Sequence, residues 1–365
     1  MNENSDNKSN GLLQIEKQSA VLYLAQQWAK KSLQNLELNY LYEDKQDAVN
    51  FRRLLSNKGI KITAQKLMNS LRTLSLQAWN KTEGLLSEVI KKHRIDPKLI
   101  NPWEITADSF AIYEQALHLY SQHISSRNLP IKIPSFENIQ QMEVQHSAFT
   151  QITTISTNVG LLRQKYTQHD PRVIAFVSMQ FHYTNLGLLQ TLSPLEQILL
   201  GSYLKIIDDH LYMPLQCAYN AAGYHDYDSH SLKAVQQILP VSTQVANRIC
   251  QKIIDLYPNY HSRSGLLSEP LVRLSSLRDI EMFQVYLWVC SLEGSVNAIQ
   301  QELFPSCVML YPRLKVHRKI IRCMLHLLKK EIYQHLNHKQ ANTLIPYLQV
   351  LWHMFSPNVF GQIGC

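Results

Sequence analysis

Several stretches of the chain carry residues whose types and spacing could do chemistry. In KIIDDHLYMPLQCAY, Lys205 to Tyr219, two adjacent carboxylates and a histidine precede a proline. Asp208, Asp209 and His210 could move protons or hold a hard cation. Pro214 cannot donate to the carbonyl of His210, and that freed oxygen beside two aspartates would suit Mg²⁺. A helical wheel separates two faces. Tyr203, Ile207, Leu211, Leu215, Ala218 and Ala222 form an apolar stripe, while Lys205, Asp208, Asp209, Tyr212, Gln216, Tyr219 and Asn220 lie opposite. Both carboxylates are therefore expected in solvent, within reach of Lys205 three and four residues away. A solvated carboxylate beside a lysine makes a poor acid–base catalyst, so the expectation is a proline-kinked surface helix.

Downstream, GYHDYDSHS places His225, Asp226, Asp228 and His230 in one short segment. All four are possible metal ligands. Zinc sites draw ligands from separated segments, and no CxxC or HxxxH pair supports this one. A polar interhelical loop is expected, with Asp228 or Ser229 capping the next helix. A di-metal carboxylate bundle needs two ExxH pairs; only Glu143 and His146 make one. P-loop, GxGxxG, HExxH and GxSxG signatures are missing. His182, in SMQFHYTN, could ligate haem or line a pigment pocket, but a satisfied core histidine is the plainer expectation. No cofactor is assigned.

In PRLKVHRKIIRCMLHLLKKEIYQHL, Pro312 to Leu336, the pattern is more informative. Ile321, Met324, Leu325, Leu328, Ile332 and Leu336 repeat at helical spacing. Against that stripe stand Arg313, Lys315, Arg318, Lys319, Arg322, His326, Lys329 and Lys330, with Glu331 the only acid. Solvated faces usually mix signs, because like charges at i, i+4 cost a few tenths of a kcal/mol per pair. The anion-binding candidates are Arg313, Lys315, Arg318, Lys319, Arg322, Lys329 and Lys330. Trp352 and Phe355, further on, are expected to pack the C-terminal helix.

Charge is segregated along the whole chain. Residues 52–98 carry a net +8 and residues 313–365 a net +7, whereas 1–51 carry −2 and 99–312 carry −5. Segregated positive charge favours association with polyanions. The competing expectation is that the basic segments pack against the acidic middle of the same chain. ITAQKLMNSLRTLSLQAWNK superficially resembles a DNA-reading helix-turn-helix, with Thr63 as N-cap and Arg72 and Lys81 following, but Ser70 to Thr73 offers no turn.

The elements that must position these residues are helical. Gly and Pro are sparse, 11 and 14, and no proline precedes Pro97. Amphipathic stretches follow one another, among them 11–38, 47–57, 63–80, 81–95, 109–124, 231–239, 241–257, 276–303, 312–336 and 339–355, and no useful strand alternation or fixed repeat intervenes. The predicted fold is all-α: a multi-helix bundle of antiparallel helices with short connections, divided into two helical domains. The predicted organisation is a disordered tail over 1–11, a basic N-terminal domain over 12–127 and a C-terminal domain over 135–365, separated by the proline-containing stretch 125–135.

Apolar runs of about ten residues are half of what a bilayer span needs. MNENSDNKSN lacks the apolar core of a secretory signal. The six cysteines, Cys217, Cys250, Cys290, Cys307, Cys323 and Cys365, form no CxxC, so a cytoplasmic protein with reduced thiols is expected. The expected function is non-catalytic: an interaction or regulatory protein docking an acidic protein surface through 312–336. One alternative is nucleic-acid binding through 52–98 and 313–339, and another is a metal- or cofactor-dependent enzyme centred on 182–230.

Overall fold

The computed structural model describes residues 19–32, 53–54, 56–123 and 141–363. The tail 1–11 and the boundary stretch 125–135 lie outside them. Among the described residues the only strands are two residues long each, so the all-α prediction holds. Chain packing defines two compact units, one of Met1–Trp28 with Tyr212–Cys365, the other of Ala29–Leu211. The helices on either side of 125–135 thus fall within one unit. No described helix is long and apolar enough to cross a membrane.

The first helix, α1 (19–32), buries Ala20, Leu24 and Trp28 at the expected spacing. In the 29–211 unit, α2 (Asn57–His93) is one continuous helix of 37 residues. Ser56 caps it by accepting from the Gly59 amide at 3.1 Å. Gly59 is sterically required there, since a Cβ would fall 2.3 Å from the Arg53 carbonyl. The break expected between the stretches 47–57 and 63–80 is therefore inside a helix that starts at Asn57, and Thr63 lies in the helix body rather than at its cap. No turn interrupts 70–73, so the helix-turn-helix is excluded by the backbone itself. Lys91 and Lys92 occupy the last turn, where the dipole favours them, and Arg94 ends the helix in the left-handed conformation.

Helix α2 packs on α3 (Pro102–His123) and α5 (Ile174–Gln190); α4 (Gln141–Thr167) packs on α3. Helix α5 is buried on nearly every side from Ile174 to Phe181, as its sequence hydrophobicity requires. Its polar groups are satisfied internally: Gln180 donates to the Ser75 carbonyl at 2.8 Å, and Tyr113 donates to the Phe181 carbonyl at 3.0 Å. Helix α6 (Pro194–Tyr212) opens with a capping box, Ser193 with Glu196. Glu196 also accepts from Thr63 at 2.8 Å, which is the actual role of that threonine.

The other unit is built around α10 (Pro270–Glu293), whose residues from Ile280 to Leu292 are all buried. Around it stand α7 (Leu215–Ala222), α8 (His230–Ile238), α9 (Ser242–Leu256), α11 (Phe304–Leu314), α12 (Arg318–His335), α13 (His338–Met354) and α14 (Pro357–Ile363). The helix expected over 276–303 ends earlier, because Gly294 takes φ 63° and caps α10. A π-helical turn, Ala298–Leu303, then leads into α11. A small antiparallel hairpin, β1 (His261–Ser262) with β2 (Gly265–Leu266), joins α9 to α10. Phe355 is fully buried against Phe283, Phe304 and Phe360, as expected for the end of α13.

Candidate functional site

Asp208, Asp209 and His210 are not on a solvated face. The six residues from Ile206 to Leu211 are all buried, with Asp209 at 0% exposure. A helical wheel assumes one dry side and one wet side; α6 is enclosed on both, so its polar face also turns inward. Lys205 donates to both oxygens of Asp209 at 2.8 and 2.6 Å, which neutralises a carboxylate that burial alone would disfavour. His210 hydrogen-bonds through Nδ1 with the Ile206 carbonyl at 2.9 Å. Burial pulls its pKa down to about 4; that hydrogen bond opposes the shift, and the charges of Lys205 and Lys31 add to it. His210 is thus a neutral core histidine.

Pro214 does not kink a continuous helix. It separates α6 from α7, and Arg163 donates from Nε to the Leu211 carbonyl at 2.9 Å. A guanidinium thus sits at this helix end, one residue beyond the His210 carbonyl considered for a cation. In the loop 223–229, His225 spends both ring nitrogens on neighbours, Ser229 Oγ at 2.8 Å and the Leu292 carbonyl at 2.6 Å. Asp228 is exposed and pairs with Lys233 at 2.7 Å. Ser229 caps α8 by accepting from Leu232, and His230 is exposed in its first turn. Among the described residues no group of three or more His, Cys, Asp or Glu side chains could hold a metal ion. His182 is half-buried beside Tyr183, their rings 5.5 Å apart.

A polar cluster in the α10 unit escaped the sequence reading. Tyr212 donates to Asp279 at 2.8 Å while the Arg278 guanidinium lies 4.1 Å over the Tyr212 ring. Burial raises the Asp279 pKa, and Arg278 with the hydroxyls of Tyr212 and Tyr311 pulls it back. Asp279 and Glu281 flank a long apolar run, and such acids were the available signal. Their partners, tens of residues away, were not.

In both basic segments cations reach solvent: Lys58, Lys61, Arg72 and Lys81 are exposed in the first, and the stretch 312–336 carries the second set. Its sequence suggested one helix from Pro312, but α11 ends at Leu314 and Lys315 takes φ 55°. The hairpin loop holds this junction. Tyr260 donates to the Lys315 carbonyl at 2.6 Å and accepts from the His317 amide at 2.8 Å, while Arg263 donates its amide to the Leu314 carbonyl at 2.9 Å. Arg313 and Lys315 therefore precede the bend, and α12 starts at Arg318.

Helix α12 buries Ile321, Met324, Leu325, Leu328 and Ile332, each contributing on the order of 1.5–3 kcal/mol. At about 100° per residue, Arg318, Lys329, Arg322, Tyr333, His326, Lys319 and Lys330 fall within an arc of about 120°. Lys319, His326, Lys329, Lys330 and Tyr333 are exposed. Glu331, the one acid of α12, faces away. It is 1% exposed and bonded to Arg248 at 2.7 and 3.0 Å, with Lys252 and His335 within 4 Å. Among the described residues no carboxylate lies within ion-pair distance of Arg318, Lys319, Arg322, Lys329 or Lys330. Arg322 stacks on Trp352 of α13, its guanidinium carbon 4.1 Å from the ring centroid. His326 approaches the same indole, ring centroids 6.4 Å apart. Trp352, expected as packing, is half-buried and forms part of the basic face.

Residues 212–354, the greater part of this unit, match the family model described as Phycobilisome protein. That stretch is similar to the family. The family's fold is all-helical and globin-like, in agreement with the helices seen here. The match covers less than half of the chain and includes α12 with its basic face. No curated protein and no solved structure matches the chain.

Proposed function

We propose that this is a non-catalytic docking protein that binds an acidic protein surface through the outer face of α12. The observation that carries this reading is the allocation of charge on that helix. Its only carboxylate is buried and engaged by Arg248, whereas Arg318, Lys319, Arg322, Lys329 and Lys330 have no carboxylate partner among the described residues. For the segment 52–98 the competing expectation, internal pairing with the acidic middle, has a contact in its favour, Lys66 with Glu196 at 3.4 Å; for Arg318, Lys319, Arg322, Lys329 and Lys330 the described residues offer none.

Energetics support the same conclusion. Arg318 and Lys319 occupy the first turn of α12, which contains no acid and whose N-cap, His317, makes no side-chain capping bond. A cation there opposes the helix dipole at a cost of about 0.3–1 kcal/mol each. Positions that cost stability yet remain positive are explained by binding an anion. The stretch 212–354, which is similar to the Phycobilisome protein family, contains this face.

The test replaces Lys319, Lys329 and Lys330, all exposed, by Glu in one variant. Circular dichroism should be unchanged, and binding to an acidic probe such as polyglutamate should be lost. Unchanged probe binding by a folded variant would remove the proposal. Nucleic-acid binding is the other outcome: affinity for a duplex would then exceed that for polyglutamate and fall with salt by about 0.9 log unit per log salt for each phosphate contact.

A further inference from the structure

We infer that the docking face has a fixed anchor, the Arg322–Trp352 stack, and that the surface it fits is an acidic α-helix lying along α12. This deepens the docking reading and rests on it. The cations of the face are not equivalent. Lys319, Lys329 and Lys330 are exposed, flexible point charges, whereas the Arg322 guanidinium is held against the indole at 4.1 Å. Stacking fixes the plane of the fork while leaving its N–H edge free to meet a carboxylate with two parallel bonds. Arginine beside tryptophan and tyrosine is also the composition from which binding hot spots are made. Tyr333, 45% exposed, lies on the same arc about three helical turns beyond Arg322.

The spacing indicates the partner's secondary structure. Arg318, Arg322, His326 and Lys330 recur every four residues, and Lys329 follows Arg322 by seven, over about 18 Å of helix axis. Carboxylates at i, i+4, i+7 and i+11 of a second helix repeat with the same period. Single-stranded nucleic acid is disfavoured by the anchor itself. A base needs a free aromatic face to stack on, and one face of Trp352 is covered by Arg322.

The experiment uses the full chain and fluorescence anisotropy with a labelled helical probe of about 15 residues built from Glu and Ala. One probe carries Glu at i, i+4, i+7 and i+11; a second has the same composition with its Glu residues adjacent. The spaced probe should bind about tenfold more tightly than the clustered one. Arg322→Lys, which keeps the charge and removes the fork, should weaken the spaced probe about tenfold, the loss of one well-formed bidentate contact. Thermal melting of Arg322→Lys should match that of the parent. Equal binding of the two probes would overturn the helical partner. Full-strength binding by Arg322→Lys would overturn the anchor while the docking reading stood, provided the triple Lys→Glu variant still lost the probe. Retained binding by that triple variant would instead bring down the docking reading itself. Tighter binding of an oligonucleotide than of the spaced probe would overturn the inference in favour of nucleic acid.

Discussion

If the first turn of α12 is kept positive for a partner, reversing a charge there should stabilise the fold while destroying binding. Lys319 is the cleanest position, because it is exposed and its side chain forms no bond among the described residues. Lys319→Glu removes a cation from the positive end of the helix dipole and adds an anion, each change contributing about 0.3–1 kcal/mol at low ionic strength. The new carboxylate also reaches Arg322 at i+3, adding about 0.2–0.5 kcal/mol. The expected gain is about 1 kcal/mol. For a unit of this size that raises the melting temperature by about 2–4 °C. Thermal unfolding followed by circular dichroism at low salt measures it, with the gain shrinking near 1 M salt as the Debye length falls to about 3 Å. Binding to the acidic probe, measured on the same sample, should fall. A variant that melts lower than the parent at low salt would refute the reasoning, since Lys319 would then be serving the fold.

His210 gives a pH dependence with a definite sign. Its pKa is depressed to about 4 by burial, so the unfolded chain binds its proton first. The stability it supports is complete above about 6.5 and falls, as pH drops from about 6.5 to 4, by up to about 1.4 kcal/mol per unit. Urea titrations should show a shallower acid loss in His210→Gln than in the parent. Gly294→Ala should cost about 1 kcal/mol because φ is 63° although no atom lies within 4 Å of the added Cβ, and Gly294→Asn should cost less; equal melting of all three would contradict the capping role. A thiol reagent should label exposed Cys217 well before Cys250, Cys290 and Cys307, whose thiols burial renders less acidic. Mass spectrometry of the labelled peptides decides the order.

Helicity and the buried stripes were legible because period and composition are local properties. The stripe of α12 and the capping by Ser229 followed from residue type and spacing alone. The misread positions depended on distant neighbours. Asp208 and Asp209 looked exposed because a wheel cannot know that α6 is covered on its second side. The run 312–336 looked like one helix because Lys315 carries no sign of a left-handed turn; the bend is held by Tyr260, more than fifty residues away. Thr63 has the chemistry of an N-cap, yet its hydroxyl serves Glu196 from within a longer helix.

Burial also changes what the charge count means. The stretch 99–312 has a net −5 in sequence, which made it a natural mate for the basic segments. Of its acids, Glu196, Asp208, Asp209, Glu281 and Glu302 are each at most 8% exposed, whereas among the described residues Arg163 is the only cation of that stretch similarly buried. Glu281 accepts from Thr243, Glu302 from Tyr286, and Glu196 from Ser193 and Thr63. Acids are therefore drawn inward and cations left outward, so the described surface offers fewer carboxylates than the sequence does. Surface charge governs association, and burial governs stability. Among the described residues, the acids taken into the cores do not pair with Arg318, Lys319, Arg322, Lys329 or Lys330, so that face is left without neutralisation from within them.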